Sequence, residues 1–201
     1  HEVTGDYGSA REALGTAIGL CERTSGGLER TCVSCMAYVL RELGDWDQVE
    51  ELCEELIAPG VSPDDTLVAD GVLGAVHAWR GRFEEARPLL VRSLETATRL
   101  DVVSMQCDSA AALAWLASAE GDDERADELC RFVLERWSRS EDHHYAVWGL
   151  RWAAAWFAAH GELAATRGCA EALSSIAASS GNPDALAALA HALGETALAE
   201  G

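Results

Sequence analysis

The 201-residue chain is 49% hydrophobic and 24% charged and carries a formal charge of −19, a composition with enough apolar matter for a continuous core. The acidity repels phosphate backbones and anionic headgroups over most of the surface, which argues against direct nucleic-acid binding and against a membrane-surface role for this chain. No uncharged apolar run approaches the ~18–20 residues needed to cross a bilayer, and His1-Glu2-Val3-Thr4 lacks a basic segment followed by an apolar one, so a soluble, cytoplasmic setting is expected.

All fifteen basic residues are arginine, a bias that goes with GC-rich coding sequence. Seven cysteines are an odd number in a chain too large to need disulfide staples, and most fall within helical patterns, so reduced thiols are expected.

The chain shows no initiator methionine and meets a turn glycine at its fifth residue, so it reads as a piece of a longer protein. Gly5-Asp6-Tyr7 forms the turn, and Ala10, Leu14 and Ala17 recur at helical spacing, predicting a helix over 8–24 that Ser25-Gly26-Gly27 ends. Helices over 28–43 and 47–57 flank Gly44-Asp45-Trp46, and the stretch from Ala58 to Asp64 is the clearest loop. Pro63 followed by Asp64, Asp65 and Thr66 is helix-start chemistry, with carboxylates near exposed amides at the positive end of the helix dipole. Further helices are predicted over 66–80, 83–100, 102–120, 122–136, 144–160 and 162–179, with Pro88 early enough in its helix to cause only a mild kink. Asn182-Pro183-Asp184 opens a last helix over 184–200, and no stretch alternates with period two, so no sheet is expected.

Gly5, Gly44, Gly81, Gly121, Gly161 and Gly201 follow one another at 39, 37, 40, 40 and 40 residues, and a pattern travels with them. Two places after the glycine stand Tyr7, Trp46, Phe83, Asp123 and Leu163; five places after it, Ala10, Val49, Ala86, Ala126 and Thr166. Seven places before it stand Ala37, Gly74, Ala114, Ala154 and Gly194, next to the mostly larger Met36, Leu73, Leu113, Ala153 and Leu193. Small side chains there let antiparallel helices approach closely while the larger neighbours fill the space beside them.

This pattern resembles the tetratricopeptide repeat in a degenerate form of about forty residues, with Leu73, Gly74, Gly81, Phe83 and Ala86 the closest match and Asp123 and Thr166 departing from it. The resemblance implies an all-α, right-handed helical-hairpin solenoid of about five repeats forming a single domain over 1–201. It extends to the helical sensor region of large LuxR-type and maltose-regulator-like ATP-binding transcription activators. Their ATPase and DNA-binding parts lie outside such repeats, and neither a Gly-x-x-x-x-Gly-Lys-Ser/Thr sequence nor a basic recognition helix is present here.

Cys32-Val33-Ser34-Cys35 has a spacing that places both thiols on one helix face, with Cys21 and Cys53 as neighbours, but the equivalent slots of later repeats hold packing residues, and no zinc site or catalytic nucleophile is assigned. Cys53 and Cys130 fall in a slot expected to be buried. Glu141-Asp142-His143-His144 reads as a solvated turn, His77 and His160 as helix-end or packed histidines, and Asp47, Glu50, Glu51, Glu54 and Glu55 as one solvated face.

Trp148, Trp152 and Trp156 form a stripe of period four. In solenoids of the resembled family the first helix of each hairpin lines the concave groove, which selects Tyr38, Arg41, Trp79, Trp115, Trp148, Arg151 and His191 as partner-binding residues. Trp79 stands out because packing does not call for a large aromatic two places before the turn. The aromatics supply apolar and stacking area, and Arg41 and Arg151 anchor an anionic group.

The expected function is a non-catalytic module that needs no cofactor and binds a protein or peptide segment, or a small effector, in its groove as the sensor region of a transcription regulator. A constitutive protein–protein scaffold is the alternative. Incomplete hairpins at both ends leave self-association through their apolar faces open.

Overall fold

The computed structural model describes residues 1–24, 28–140 and 142–200; the helix end expected at Ser25-Gly26-Gly27, the turn residue Glu141 and the last repeat glycine, Gly201, lie outside them. Ten α-helices are present among the described residues, and no strand: α1 (Tyr7–Thr24), α2 (Glu29–Leu43), α3 (Trp46–Leu56), α4 (Pro63–Trp79), α5 (Phe83–Leu100), α6 (Val103–Glu120), α7 (Asp123–Arg136), α8 (Val147–Ala159), α9 (Leu163–Ser180) and α10 (Pro183–Glu200). The all-α class follows from the repeated apolar spacing.

Helix starts obey local chemistry. Ser62 lies in extended backbone and its Oγ accepts from the Asp64 amide at 3.3 Å, so α4 begins at Pro63, three residues earlier than its apolar pattern predicts. The Asp122 carboxylate accepts from the Arg125 amide at 3.1 Å at the head of α7. Asn182 Oδ1 accepts from the Asp184 amide at 2.8 Å at the head of α10, while its Nδ2 donates to the Val3 carbonyl at 3.2 Å.

The five described repeat glycines, Gly5, Gly44, Gly81, Gly121 and Gly161, have φ between 71° and 82°, the left-handed conformation that lets the chain reverse between helices without a Cβ penalty. The sequence departs from its own expectation at the eighth helix. Residues His143–Ala146 form a 3-10 turn ahead of Val147, and a second such turn covers Trp137–Arg139.

The chain divides into two compact units, residues 1–2 with 6–96 and residues 3–5 with 97–201, the division falling inside α5. In the first unit α1 packs on α2, α2 on α3 and α4, and α3 on α4. Ala10, Ala37, Val49 and Ala86 of the repeat pattern are all buried there, and Leu90 of α5 lies where a methyl group on Gly74 would come within 2.7 Å of its Cγ. Asp70 is fully buried, held by Arg92 Nε donating to Oδ2 at 2.7 Å and by Thr66 Oγ1 donating at 2.9 Å.

In the second unit α6 packs on α7 and α8, α7 on α8 and α9, and α10 on both α8 and α9. Ala114, Ala126, Ala154 and Thr166 fill the small-residue slots and are buried. Thr166 is accommodated because its hydroxyl donates to the Glu162 carbonyl at 3.1 Å, one turn back. Gly194, in the corresponding slot of α10, is exposed, with nothing among the described residues within 4 Å of where a Cβ would lie.

Candidate functional site

In the first unit, two of the expected groove residues gather round the guanidinium of a third. Arg41 stands one turn after Tyr38 on α2, with its guanidinium carbon 4.6 Å from the Tyr38 ring centre and 5.6 Å from that of Trp79. Its Nε donates to Glu42 Oε1 at 2.9 Å. Trp46, the residue two after the turn glycine, packs its ring 5.8 Å from Trp79 and donates from Nε1 to the Arg41 carbonyl at 3.2 Å.

The spacing places Tyr38 and Arg41 on a ligand-facing surface, but the structure leaves them only 2% and 5% exposed. A planar, weakly hydrated guanidinium stacks readily on aromatic faces, so Arg41 turns in over Tyr38 instead of projecting outward. Trp79 is half-buried against Trp46, which gives its size a packing role that the repeat pattern does not contain.

The acidic stripe of α3 is not uniformly solvated. Glu50 is half-buried and accepts from Arg80 Nη1 at 2.7 Å and from the Arg82 guanidinium, with His77 Nδ1 at 3.9 Å. Asp47 accepts from Arg80 Nη2 at 2.6 Å, whereas Glu51, Glu54 and Glu55 are exposed. Burial, reinforced by the Arg82 charge, lowers the His77 pKa against the opposing pull of Glu50, Glu85 and Glu54.

In the second unit the expected residues lie on three helices, with α8 packed on both α6 and α10. Trp115 of α6 and Trp148 of α8 are half-buried, Arg151 of α8 is exposed, and His191 of α10 is exposed with Nε2 3.6 Å from Glu195 Oε1. Trp148, Arg151 and Trp152 share one face of α8, since residues three and four apart are neighbours on a helix. Arg151 forms no ion pair with any described residue, while exposed Arg11, Arg125, Arg139 and Arg167 each lie against a carboxylate.

Trp152 is half-buried and stacks on the buried Trp156 at 5.5 Å and 24°, and Trp156 lies 4.0 Å from the His160 ring. The stripe thus runs from half-buried Trp148 and Trp152 to buried Trp156. His144, which the sequence pattern places in a solvated turn, is instead buried, 7% exposed, in the 3-10 turn beside Tyr145. Burial raises the thiols of Cys53, Cys107 and Cys169 to about 12 and that of Cys130 further, so these four behave as small apolar groups. Among the described residues no three His, Cys, Asp or Glu side chains are grouped to hold a metal ion, and no helix is long and apolar enough to cross a membrane.

The helix–turn–helix from Gly71 to Leu100 carries the family resemblance. Residues 71–100 match the family Tetratricopeptide repeat, which supports a tetratricopeptide-type helical repeat domain, a class that serves as protein–protein interaction modules. The match covers the latter part of α4, the Gly81 turn and α5, the stretch where Leu73, Gly74, Phe83 and Ala86 fit the pattern best. No match was found among curated proteins or among solved structures.

Proposed function

We propose that the chain is a non-catalytic binding module that takes an apolar protein segment carrying a carboxylate across the faces of α6, α8 and α10. Trp115 and Trp148 supply the apolar contact, Arg151 the charge, and His191 the edge. The observation that carries this reading is Arg151: an exposed guanidinium with no ion pair to a described residue, in a chain of net charge −19, flanked on its own helix face by Trp148 and Trp152. A charged donor beside desolvating aromatic area is the combination from which interface anchors are built. In the first unit Tyr38, Arg41 and Trp79 act as a brace that fixes the α2–α4 surface.

The same reading extends to context. The lysine-free composition and degenerate forty-residue repeats support a place as the single-domain sensor or interaction region of a bacterial, actinobacterial-type transcription regulator acting in the cytoplasm. Binding that bridges several helices would bias the state of whatever domain adjoins them.

The test is selection of a displayed peptide library on the immobilised chain. Enriched peptides should pair apolar residues with Asp or Glu, and synthetic copies should bind Arg151→Ala and Trp148→Ala about 10–100-fold more weakly, the worth of one charged hydrogen bond or one aromatic anchor. Enriched peptides that bind both variants as tightly as the parent would overturn the assignment.

A further inference from the structure

We infer that the chain joins head to tail to a second copy of itself, α1 of one copy packing on the α9–α10 face of the other. The interface reuses a contact found inside one chain. In the hairpin of α4 and α5, Leu90 stands nine places after the turn glycine and Gly74 seven places before it. A Cβ on Gly74 would lie 2.7 Å from the Leu90 Cγ, so the leucine fills the space that the glycine leaves. Gly194 holds the Gly74 position in α10, and Leu14 holds the Leu90 position in α1.

Both positions are open. Among the described residues nothing lies within 4 Å of where a Gly194 Cβ would be, and Leu193 beside it is 54% exposed where Leu73, Leu113 and Ala153 of the same slot are buried. Leu186, Ala190 and Ala197 continue this exposed stripe along α10 at helical spacing. A groove lined by Arg167, Leu189 and Leu193 runs beside it between α9 and α10. Leu14 is half-buried, whereas Cys53, Leu90, Cys130 and Ala170 in its slot are buried.

Charge complementarity sets the register. The residue six places after one turn glycine pairs with the residue just after the next turn glycine: Arg11 donates to Asp45 at 2.9 Å, and Arg82 donates to Glu50. Arg167 fills the first of these slots in α9, and Asp6 fills the second ahead of α1, so a second copy brings a carboxylate to a guanidinium. Arg167 already donates to Glu200 at 3.1 and 2.5 Å; Asp6 joins Glu200 there as Arg82 joins Arg80 on Glu50. His1–Thr4 must turn aside from the last turn of the incoming α10 and give up the Asn182–Val3 bond, which keeps the association weak. The two patches differ, so the contact is heterologous and adds copies in a row. It does not involve Arg151, and either proposal can fail without the other.

The experiment is sedimentation velocity of the full chain at about 0.15 M salt, where screening over about 8 Å limits repulsion between two acidic copies. The sedimentation coefficient should rise between about 10 µM and 1 mM, the range of a small transient interface. Leu14→Asp and Gly194→Phe should each stay monomeric, the second although it makes the face more apolar. Their equimolar mixture should form dimers and nothing larger, because one variant keeps the α10 slot and the other keeps Leu14. Arg167→Asp and Asp6→Arg should each weaken association about 10-fold, and the chain carrying both should regain most of it. A parent chain that stays monomeric, a mixture that does not pair, or a Leu14→Asp chain that associates like the parent would overturn the inference, the last by pointing to pairing of α10 with α10. Far-UV circular dichroism confirms the fold of each variant, and the exposed Arg167 and Asp6 pair carries the test should Leu14→Asp misfold.

Discussion

Gly149 makes the packing account quantitative. A methyl group there would sit 2.7 Å from the Ala111 Cβ on α6, with Val133 Cγ1 at 3.4 Å. Carbon atoms prefer about 3.5–4.0 Å, so roughly 1 Å must be absorbed. Neither the added methyl nor that of Ala111 can rotate out of the way, since each is fixed directly to a helix backbone. Overpacking of this kind costs about 1–3 kcal/mol, against a helix-propensity gain of about 1 kcal/mol for Gly→Ala. The net expectation for Gly149→Ala is a loss of up to about 2 kcal/mol, or up to roughly 8 °C in Tm for a chain of this size.

Gly194→Ala is the internal control. The residue lies within α10 with open space around it and should gain up to about 1 kcal/mol. Adding Ala111→Gly to Gly149→Ala should recover most of the loss, because the two sites share one contact. Thermal and urea unfolding by circular dichroism measures all four chains. A Gly149→Ala protein as stable as Gly194→Ala, or one that Ala111→Gly does not rescue, would refute the close approach of α8 to α6.

Two further outcomes follow from the first unit. Asp70→Ala removes the buried acceptor of Arg92 and Thr66 and should lower stability by about 2–3 kcal/mol, the half-exposed Arg92 limiting the loss by turning to solvent; Asp70→Asn, which keeps the Thr66 bond, should cost less by urea midpoint. His77 has a pKa below the ordinary imidazole value of about 6.5, so the folded chain binds its proton less readily than the unfolded one. Its contribution is present above that value and lost as pH falls through it, and His77→Gln should flatten the decline in urea midpoint between about pH 7 and 5. An unchanged slope would show that His77 does not govern this decline.

The helices and turns were legible in the sequence because they depend on local requirements: a left-handed residue at Gly44 or Gly121, small side chains at Ala37 or Ala154, an amide acceptor at Asp122. α4 began early because Ser62 and Pro63 outweigh the apolar pattern at a helix start. What could not be read were side chains that reach a neighbour through several bonds. Arg41 turns in over Tyr38 and Trp79, and Glu50 collects Arg80 and Arg82, because long side chains settle on whichever partner the fold brings near. The pairing of Trp46 with Trp79 had a readable trace, an aromatic after one turn glycine and another before the next, but spacing within a repeat does not reveal contact between repeats. Arg151 was identified by its helical offset; its lack of an ion pair with a described residue needed coordinates.

The central claim is that Arg151 receives a carboxylate from a partner segment. The most direct measurement is a charge exchange, in which the affinity of a selected peptide and of its Glu→Lys or Asp→Lys counterpart is measured against the parent chain and Arg151→Glu. The account predicts that either reversal alone weakens binding by about 10–100-fold and that both together restore most of it. Equal affinity of the selected peptide for the parent and Arg151→Glu, or no recovery in the doubly reversed pair, would contradict it.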